Sequence, residues 1–446
     1  MCWDCMEWQH FHVQHLLLKL TRPHQGATKN GKPSSCRRDQ KDLYRLHSYL
    51  ETNQQSVFCM DFVRNIFLFG MLTFLTFYGH SSAADKVPKF ERIKKLPHPG
   101  EFYFNLTEER SKPHSPVCQL GLEKIGNLES EAPAKIATSI KGKAPVGTTF
   151  GVRELVWGSV LTIKPDEQIA QLAKKELLLW SRADAFNKFV PEQSWQWWSV
   201  YTMMPGLLTT YQRLNEMGTL NHSESNEIHR WFEKLVKHIK IGNELPPGTA
   251  GNNDIEQRLN NHNTRRNLIS VLWGIETNDA RLVNYGIENG YIRFLKNIKK
   301  DGSVFDANRG MWAMRYTSFN ISAALFIAEA AKHQGVDLYG LIYNGQSIHT
   351  SVKFFLDSYS DEELINRYAK SDIGMKGMPF AGKQTGWLVV YDGVMGFVGW
   401  IDLYIHNFPD SENTKRLKVL RQDFVNKTGF DYLFDWSFGN VTCFYH

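Results

Sequence analysis

The stretch that decides the fold is residues 223–241, SESNEIHRWFEKLVKHIKI. Its large apolar side chains recur every three or four positions: Ile228, Trp231, Phe232, Leu235 and Ile239. This spacing places them on one face of an α-helix, with charged residues on the other face. Ser223 precedes the pattern and is a residue type that caps helix N-termini. The stretch therefore predicts an amphipathic helix that packs against a larger helical core.

Similar apolar spacing extends over most of the chain beyond Pro165. It predicts helices over residues 166–182, 195–216, 264–277, 279–299, 311–333, 337–357, 361–369 and 386–406. Strand-like alternation is absent until the last residues, and no repeat of fixed length occurs, which argues against a regular solenoid. We therefore predict an all-α chain that forms an incomplete (α/α) toroid of antiparallel helical hairpins, with an irregular N-terminal segment.

Two segments precede this fold. Residues 1–59 hold four of the six cysteines without sustained periodicity, and we expect an over-called or disordered extension. Cys2 and Cys5 have no neighbours that would complete a metal or redox site. Residues 60–84 combine a short basic stretch, the apolar run 66–78 and small residues, which is typical of a secretory signal peptide. A cytoplasmic tail followed by a signal anchor is the alternative.

Cleavage of that signal would export the mature chain to the periplasm or the medium, without a stable membrane anchor. Cys118 and Cys443 are then its remaining cysteines, and an oxidising compartment favours a disulfide between them. Residues 85–150 are rich in Pro, Gly and Lys, so we expect an irregular segment that wraps the body and could form a lid. Residues 151–446 form the helical domain, and we expect a monomer.

Composition narrows the possible partners. The net charge is only +6, and the chain beyond residue 59 has 44 basic and 41 acidic residues. The small excess of basic residues and the lack of a nucleic-acid motif argue against nucleic-acid binding. The same overall charge is compatible with a locally basic cleft for an acidic polymer. Most of the thirteen Trp and seventeen Tyr are expected in the core. Trp195, Trp197 and Trp198 fit a buried helix face and a sugar-binding cleft equally well.

One set of polar residues suits chemistry beside a carboxylate. Asn261 has amide donors and Arg309 has a planar fork, and both types of group bind carboxylates. His262 can act as a base or a polarised donor, and Tyr316 can donate its proton or, once deprotonated, accept one. Arg309 and Tyr316 would share a helix face if the helix extended that far, but Gly310 could place Arg309 in a loop. Taken singly, each of these residues is also common in capping turns, cores or surfaces.

Five segments carry a family resemblance in their order and spacing. They are residues 179–185 (LWSRADA), 227–232 (EIHRWF), 260–262 (NNH), 309–316 (an Arg and a Tyr seven positions apart) and 328–338 (ending GVDL). Together they resemble the alginate lyases that cleave poly(β-D-mannuronate), a family with an (α/α)-toroid fold. The interval of 54 residues from His262 to Tyr316 agrees with that family's pattern. The resemblance extends over about residues 165–345 and makes residues 151–446 the expected catalytic domain.

The resemblance implies a polysaccharide lyase that cleaves mannuronate-rich alginate or a related polyuronate by β-elimination. Asn261 and Arg309 would neutralise the substrate carboxylate, while His262 and Tyr316 would remove the C5 proton and protonate the departing C4 oxygen. Either His262 is the base and Tyr316 the acid, or Tyr316 serves both steps while His262 assists. The mechanism requires neither a metal nor a cofactor, and the partner is an acidic polysaccharide.

The chain departs from the family in two places. Arg265 and Arg266 follow the histidine where the family usually has aromatic residues, and they could bind substrate and shift the preference to another acidic polymer. The family's lysine-bearing lid motif has no clear match. Lys124 is the candidate substrate-binding lysine there, with Lys141 and Lys143 as further candidates.

Two other functions stay open. An (α/α)-toroid glycoside hydrolase would need two opposed carboxylates, for which Asp254 and Glu256 are the candidates. A non-catalytic polyuronate-binding protein of an exopolysaccharide pathway would bind the polymer and would not need Tyr316.

Overall fold

Helices joined by short turns make up most of the chain that the structure describes. A computed structural model describes residues 89–114, 116–119, 148–187, 198–244, 259–370, 382–384 and 398–445. All of them belong to one unit, Ala83–His446, whereas the predicted extension 1–59 and signal peptide 60–84 lie outside the described residues. The helices are α1 (Leu106–Ser111), α2 (Thr148–Ile163), α3 (Glu167–Arg182), α4 (Trp198–Glu216), α5 (His222–Glu244), α6 (Asn261–Glu276), α7 (Ala280–Ile287), α8 (Arg293–Lys296), α9 (Ala313–His333), α10 (Ile348–Ser360), α11 (Glu362–Ala369), α12 (Trp400–Asn407), α13 (Glu412–Thr428) and α14 (Val441–Tyr445).

An inner layer of helices carries the core, and its members pack against one another in chain order: α2, α4, α6, α9 and α12. In α6, which lies between α4 and α9, every residue is buried except His262 and Glu276. In α9 every residue is buried except Tyr316, Lys332 and His333. Since these helices are enclosed along their length, the positions that can meet a ligand lie at their two ends.

Amphipathic helices cover this inner layer: α3, α5, α7, α10 and α13. Residues 223–241 lie within α5, and their five predicted apolar residues are buried. Close packing also depends on a glycine of α7, because a Cβ atom at Gly286 would lie 2.7 Å from the carbonyl oxygen of Asn267 in α6. Inner and outer helices that alternate along the chain form the hairpins predicted from the sequence.

The start of α6 differs from the prediction in a way that matters for the site. The helix begins at Asn261 and not near residue 264. Asn260 is its cap, because the Asn260 side chain accepts the backbone N–H of His262 at 3.0 Å. Asn261 and His262 therefore occupy the first turn of a buried helix, where the prediction had placed them just before it.

Two other predicted helix starts were wrong. Ser223 does not cap α5; the side chains of Asn221 and Glu224 each accept the other's backbone N–H, at 3.0 and 2.9 Å, and form a capping box two positions earlier. Residues 337–347 form turns and not the start of a helix, and α10 begins only at Ile348.

The described part of the N-terminal segment, residues 89–114 and 116–119, consists of turns, the short helix α1 and a 3₁₀ turn. Arg110 in α1 donates to two carbonyl oxygens at the end of α2, at 2.9 and 3.2 Å. Cys118 forms a disulfide with Cys443 in α14, which confirms the predicted pairing. The segment is thus attached to the body at both its helix and its cysteine.

A short antiparallel hairpin follows the last long helix. Its strands are β1 (Phe434–Asp435) and β2 (Gly439–Asn440), and β2 packs against α2. They lie where the sequence placed its only strand-like pattern, close to the C-terminus. Within the described ranges, no helix has the length and apolar character needed to cross a membrane.

Candidate functional site

The four predicted catalytic residues lie at the N-terminal ends of two neighbouring inner helices. Asn261 and His262 are the first residues of α6, and Tyr316 is in the first turn of α9. Arg309 stands between two 3₁₀ turns just before α9, so the loop alternative is the correct one. The two helix ends lie side by side, since α6 and α9 are joined near their starts by a hydrogen bond of 2.6 Å from the hydroxyl of Thr264 to the side chain of Asn320.

A buried carboxylate, Asp306, fixes the residues that would bind a substrate carboxylate. It accepts the backbone N–H of Asn261 at 2.9 Å and the Asn261 side-chain amide at 2.7 Å. It also accepts the side-chain amide of Asn320 at 2.7 Å, and the Nε of Arg309 lies 3.9 Å away. Burial raises the pKa of Asp306 to about 6, although Arg309 and these hydrogen bonds oppose the shift.

The connection that carries Arg309 is held by a glutamine from a distant part of the chain. Gly310 has a φ of 54°, a left-handed conformation that glycine adopts without strain. Gln384 donates to the carbonyl oxygen of Gly310 at 3.1 Å and accepts the backbone N–H of Met314 at 3.1 Å. Gln384 therefore holds the backbone that follows Arg309, and the contacts of Asp306 hold the backbone that precedes it.

His262 is neutral and oriented by a tyrosine. Its Nδ1 shares a hydrogen bond with the hydroxyl of Tyr201 in α4, and the two rings meet edge to face. Burial lowers the pKa of His262 well below its usual value, and Arg309, Arg266 and Arg265 lower it further. Burial also raises the pKa of Tyr201, so its hydroxyl keeps its proton.

Arginines and aromatic rings surround these groups. Arg265 and Arg266, the two predicted substrate-binding arginines, are almost fully buried, at 2% and 4% exposure. The Arg265 guanidinium lies 4.6 Å from the centre of the Phe319 ring, and the Arg309 guanidinium lies 5.4 Å from that of Tyr316. Within the described ranges, the Nε atoms of Arg265 and Arg309 are buried and have no hydrogen-bond partner. The three arginines thus give the site a positive potential.

His262 and Tyr316 belong to the same electrostatic neighbourhood. Tyr201 is hydrogen-bonded to His262 and also interacts with Tyr316 and with Arg309. Arg309 in turn faces the Tyr316 ring and acts on the pKa of His262. The structure therefore brings an imidazole, a phenol, an amide and a guanidinium together at one end of the inner layer.

Several predicted residues cannot be placed in this arrangement. Lys124, Trp195 and Trp197 lie outside the described residues, as do Asp254 and Glu256 of the alternative hydrolase. The lid candidates Lys141 and Lys143 lie outside them as well, and Trp198 is described only as the first residue of α4.

Two residues of the site were missed by the sequence analysis. Asp306 precedes Arg309 by three positions, but an aspartate in a turn is too common to stand out. Tyr201 occupies a buried position of its helix and is 2% exposed. Its hydroxyl gives no sequence signal for the contact with His262.

A protein-family model described as alginate lyase matches residues 172–365, the interval that contains Asn261, His262, Arg309 and Tyr316. A comparison with curated proteins gives no match.

Solved structures share the fold. Alginate lyase A1-III from Sphingomonas species A1 has a TM-score of 0.59 and 18% identity, over 79% of this chain and 97% of that one. A variant of alginate lyase A1-III with a histidine replaced by alanine, complexed with a tetrasaccharide, has a TM-score of 0.58 and 19% identity over the same shares. A second tetrasaccharide complex, of a tyrosine-to-phenylalanine variant, has a TM-score of 0.57 and 18% identity, also over 79% and 97%.

At this identity the structures establish the fold, and the predicted incomplete (α/α) toroid is confirmed. The family match supplies what a fold likeness cannot, because it runs through both inner helices whose N-terminal ends form the site. The alginate lyase match over residues 172–365 therefore supports the enzyme class predicted from the sequence, a polysaccharide lyase.

Proposed function

We propose that the chain cleaves mannuronate-rich alginate, or a related polyuronate, by β-elimination and leaves an unsaturated uronic acid at the new non-reducing end. One observation carries the proposal. Asp306 binds Asn261 and lies next to Arg309, and these two residues are donors for a substrate carboxylate. They stand beside His262 and Tyr316, which are partly exposed. The tetrasaccharide complexes of alginate lyase A1-III support a carbohydrate ligand.

The first requirement is to neutralise the carboxylate next to C5, because negative charge develops on it when the C5 proton leaves. Asn261 donates one amide hydrogen to Asp306 and keeps the second for a substrate. The Arg309 guanidinium, whose Nε has no hydrogen-bond partner among the described residues, supplies charge and further donors. Since Asp306 orients both groups beforehand, little reorganisation is needed at the moment of reaction.

The second requirement is a group that takes the C5 proton. His262 is a weak base here, because burial and three arginines disfavour its protonated form. We therefore assign the proton transfer to Tyr316, as a phenolate that the Arg309 guanidinium 5.4 Å from its ring would stabilise. His262 then acts as a neutral hydrogen-bonding group whose ring is oriented by Tyr201.

Tyr316 alone can carry out both proton transfers of the elimination. In mannuronate the C5 hydrogen and the C4 oxygen lie on the same side of the ring. The Tyr316 oxygen takes the C5 proton, the electron pair forms the C4–C5 double bond, and the C4–O bond breaks. Tyr316 returns the proton to the departing oxygen and is again a phenolate. The alternative, with His262 as base and Tyr316 as acid, gives the same product.

The test is to incubate the purified full chain with polymannuronate, polyguluronate and polygalacturonate. We expect near-ultraviolet absorbance of the unsaturated product, strongest with polymannuronate. New reducing ends without that absorbance would show hydrolysis, and binding without any new chain ends would show a non-catalytic binder. Either result would refute the proposed elimination, and absorbance with another polyuronate alone would refute the mannuronate preference.

We also propose that the mature enzyme is exported after cleavage near residue 84 and acts in the periplasm or the medium. The Cys118–Cys443 disulfide supports an oxidising compartment, because such bonds are rare in the reducing cytosol. The test is to express the full chain in a Gram-negative host and to sequence the N-terminus of the periplasmic product. Retention of residues 60–84 in a membrane fraction would support the signal anchor instead.

A further inference from the structure

A second cluster of ionisable side chains lies at the opposite ends of the same inner helices. His98 and Glu101 belong to a turn of the N-terminal segment, and His333 is the last residue of α9. Tyr316 and His333 are 17 positions apart on that helix, which separates them by about 25 Å. The cluster is therefore distinct from the candidate catalytic site.

Three potential metal ligands converge here. The Nε2 of His333 lies 3.0 Å from a carboxylate oxygen of Glu101, and the Nδ1 of His98 lies 3.8 Å from the same oxygen. One ligand atom from each residue lies within 4.8 Å of the others. Bonds of about 2.0–2.1 Å to a tetrahedral ion place its ligands roughly 3.4 Å apart. His98 has a side chain that is 47% exposed and is free to make the small movement required.

The backbone of the turn is already fixed in position. Gln334, next to His333, accepts the backbone N–H of His98 at 3.1 Å. Its amide donates to the carbonyl oxygens of His98 and Glu101, both at 2.9 Å. Asn105 donates to the second carboxylate oxygen of Glu101 at 2.9 Å, so the first oxygen remains directed at the two histidines. Hydrogen bonds that orient the ligand residues in this way are typical of metal sites.

The surroundings favour a cation. The cluster lies at the C-terminal end of α9, where helix carbonyl groups carry partial negative charge. The C-terminal end of α6 is also adjacent, since Gly100 donates to the carbonyl oxygen of Ile275 at 2.9 Å. Glu329, one turn before His333, adds further negative potential.

A simple ion pair would not need two imidazoles. The rings of His98 and His333 are stacked with their centres 4.7 Å apart, and two protonated rings at that separation would repel each other. The neutral imidazole is the form that binds a metal.

We propose that His98, Glu101 and His333 bind one divalent transition-metal ion, with zinc the best match to two imidazoles and a carboxylate. Water completes its coordination. The ion attaches the N-terminal segment to the end of α9, as the disulfide attaches it at Cys118, and takes no part in the elimination.

The test is calorimetric titration of the full chain with zinc chloride, without chelating buffer. The wild type is compared with the double variant His98→Ala/His333→Ala. Because residues 1–59 contain further Cys and His residues that can bind zinc, the informative quantity is the difference in stoichiometry. We expect the double variant to bind one equivalent fewer. His222→Ala, which removes an exposed histidine elsewhere, is the matched control and should bind as the wild type does.

Two further measurements separate metal binding from misfolding. Glu101→Gln keeps the shape of the side chain and should weaken the same equivalent by at least about ten-fold. Zinc should raise the unfolding temperature of the wild type more than that of either variant, while lyase turnover without zinc stays unchanged in all of them. Equal stoichiometry and equal thermal shifts in wild type and variants would overturn the proposal, whether or not the chain proves to be a lyase.

Discussion

The Asp306 carboxylate binds both the backbone N–H and the side-chain amide of Asn261, at 2.9 and 2.7 Å. This pair joins the connection before α9 to the first residue of α6 and orients a donor that the proposed mechanism needs. Asp306 is fully buried, so each donor left behind by its removal would lose a partner without gaining water.

We therefore predict that Asp306→Ala lowers both stability and turnover. Leaving these buried donors unsatisfied should cost about 3–5 kcal/mol of the free energy of unfolding. Urea unfolding and the initial rate of product absorbance are the measurements. Asp306→Asn is the matched variant, because it keeps the volume and one acceptor oxygen and should lose less stability. An Asp306→Ala protein with wild-type turnover would remove Asp306 from the positioning role.

The second prediction concerns the Tyr316 hydroxyl. Tyr316→Phe should reduce turnover by roughly 10²–10⁴-fold, the usual contribution of a positioned proton-transfer group. Binding of a mannuronate oligomer, measured by calorimetry, should change little, because the carboxylate donors remain. Tyr343→Phe, a partly exposed tyrosine outside the site, is the control and should retain full turnover. Near-normal turnover of Tyr316→Phe would exclude this residue from the chemistry.

The third prediction separates binding from proton transfer. Arg309→Ala should raise KM and lower kcat together, because its contact to the carboxylate exists both before and during the reaction. Loss of a charge-assisted hydrogen bond of about 1.5–3 kcal/mol corresponds to roughly 10–100-fold in kcat/KM. Arg281→Ala, at a side chain that is 95% exposed, is the matched control. An Arg309→Ala enzyme with unchanged KM would contradict a carboxylate-binding role.

A fourth prediction follows from Glu276, the last residue of α6. Burial raises the pKa of Glu276 to about 7, although Gln212 and Arg213 oppose the shift. Since the folded pKa is above the unfolded value of about 4.3, the folded state favours the protonated form. The contribution of this group to stability is present at low pH and is lost as pH rises from about 4 to about 7.

Glu276→Gln should remove that loss. Relative to the wild type, the variant should gain stability as pH rises through this window, by roughly 3–4 kcal/mol in total, and the difference should then stay constant. Urea unfolding at a series of pH values measures it. Glu233→Gln, at an exposed position of α5, should show no such trend. A stability difference between Glu276→Gln and the wild type that does not vary with pH would mean that the Glu276 carboxylate ionises as easily in the folded state as in the unfolded state.

The helices and the four candidate residues could both be predicted from residue spacing, because helix geometry determines that spacing. Amphipathic helices such as α5 repeat their apolar residues with the helical period, and Asn260-Asn261-His262 stands at a helix start, where polar side chains are common. The inner helix α2 was missed because it is buried on nearly all sides and has no polar face to define a period.

The contacts that organise the site could not be predicted in the same way. Asp306 meets Asn261 from 45 positions away, and Tyr201 meets His262 from 61 positions away. Neither pair shares a helix, so no periodicity relates them. Arg265 and Arg266 were expected to bind substrate, but only the packing of α6 against its neighbours reveals how deeply they are buried.

The near-complete enclosure of α6 and α9 has a consequence for how such an enzyme can diversify. A change of preference between uronic acids must come from the first turns of these helices, or from segments laid over them, because most other positions along their length are buried and a mutation there disturbs the interior. Library designs aimed at new polymers should therefore concentrate on the few positions around His262 and Tyr316. Arg265 and Arg266 should be exchanged only together with the residues that pack on them.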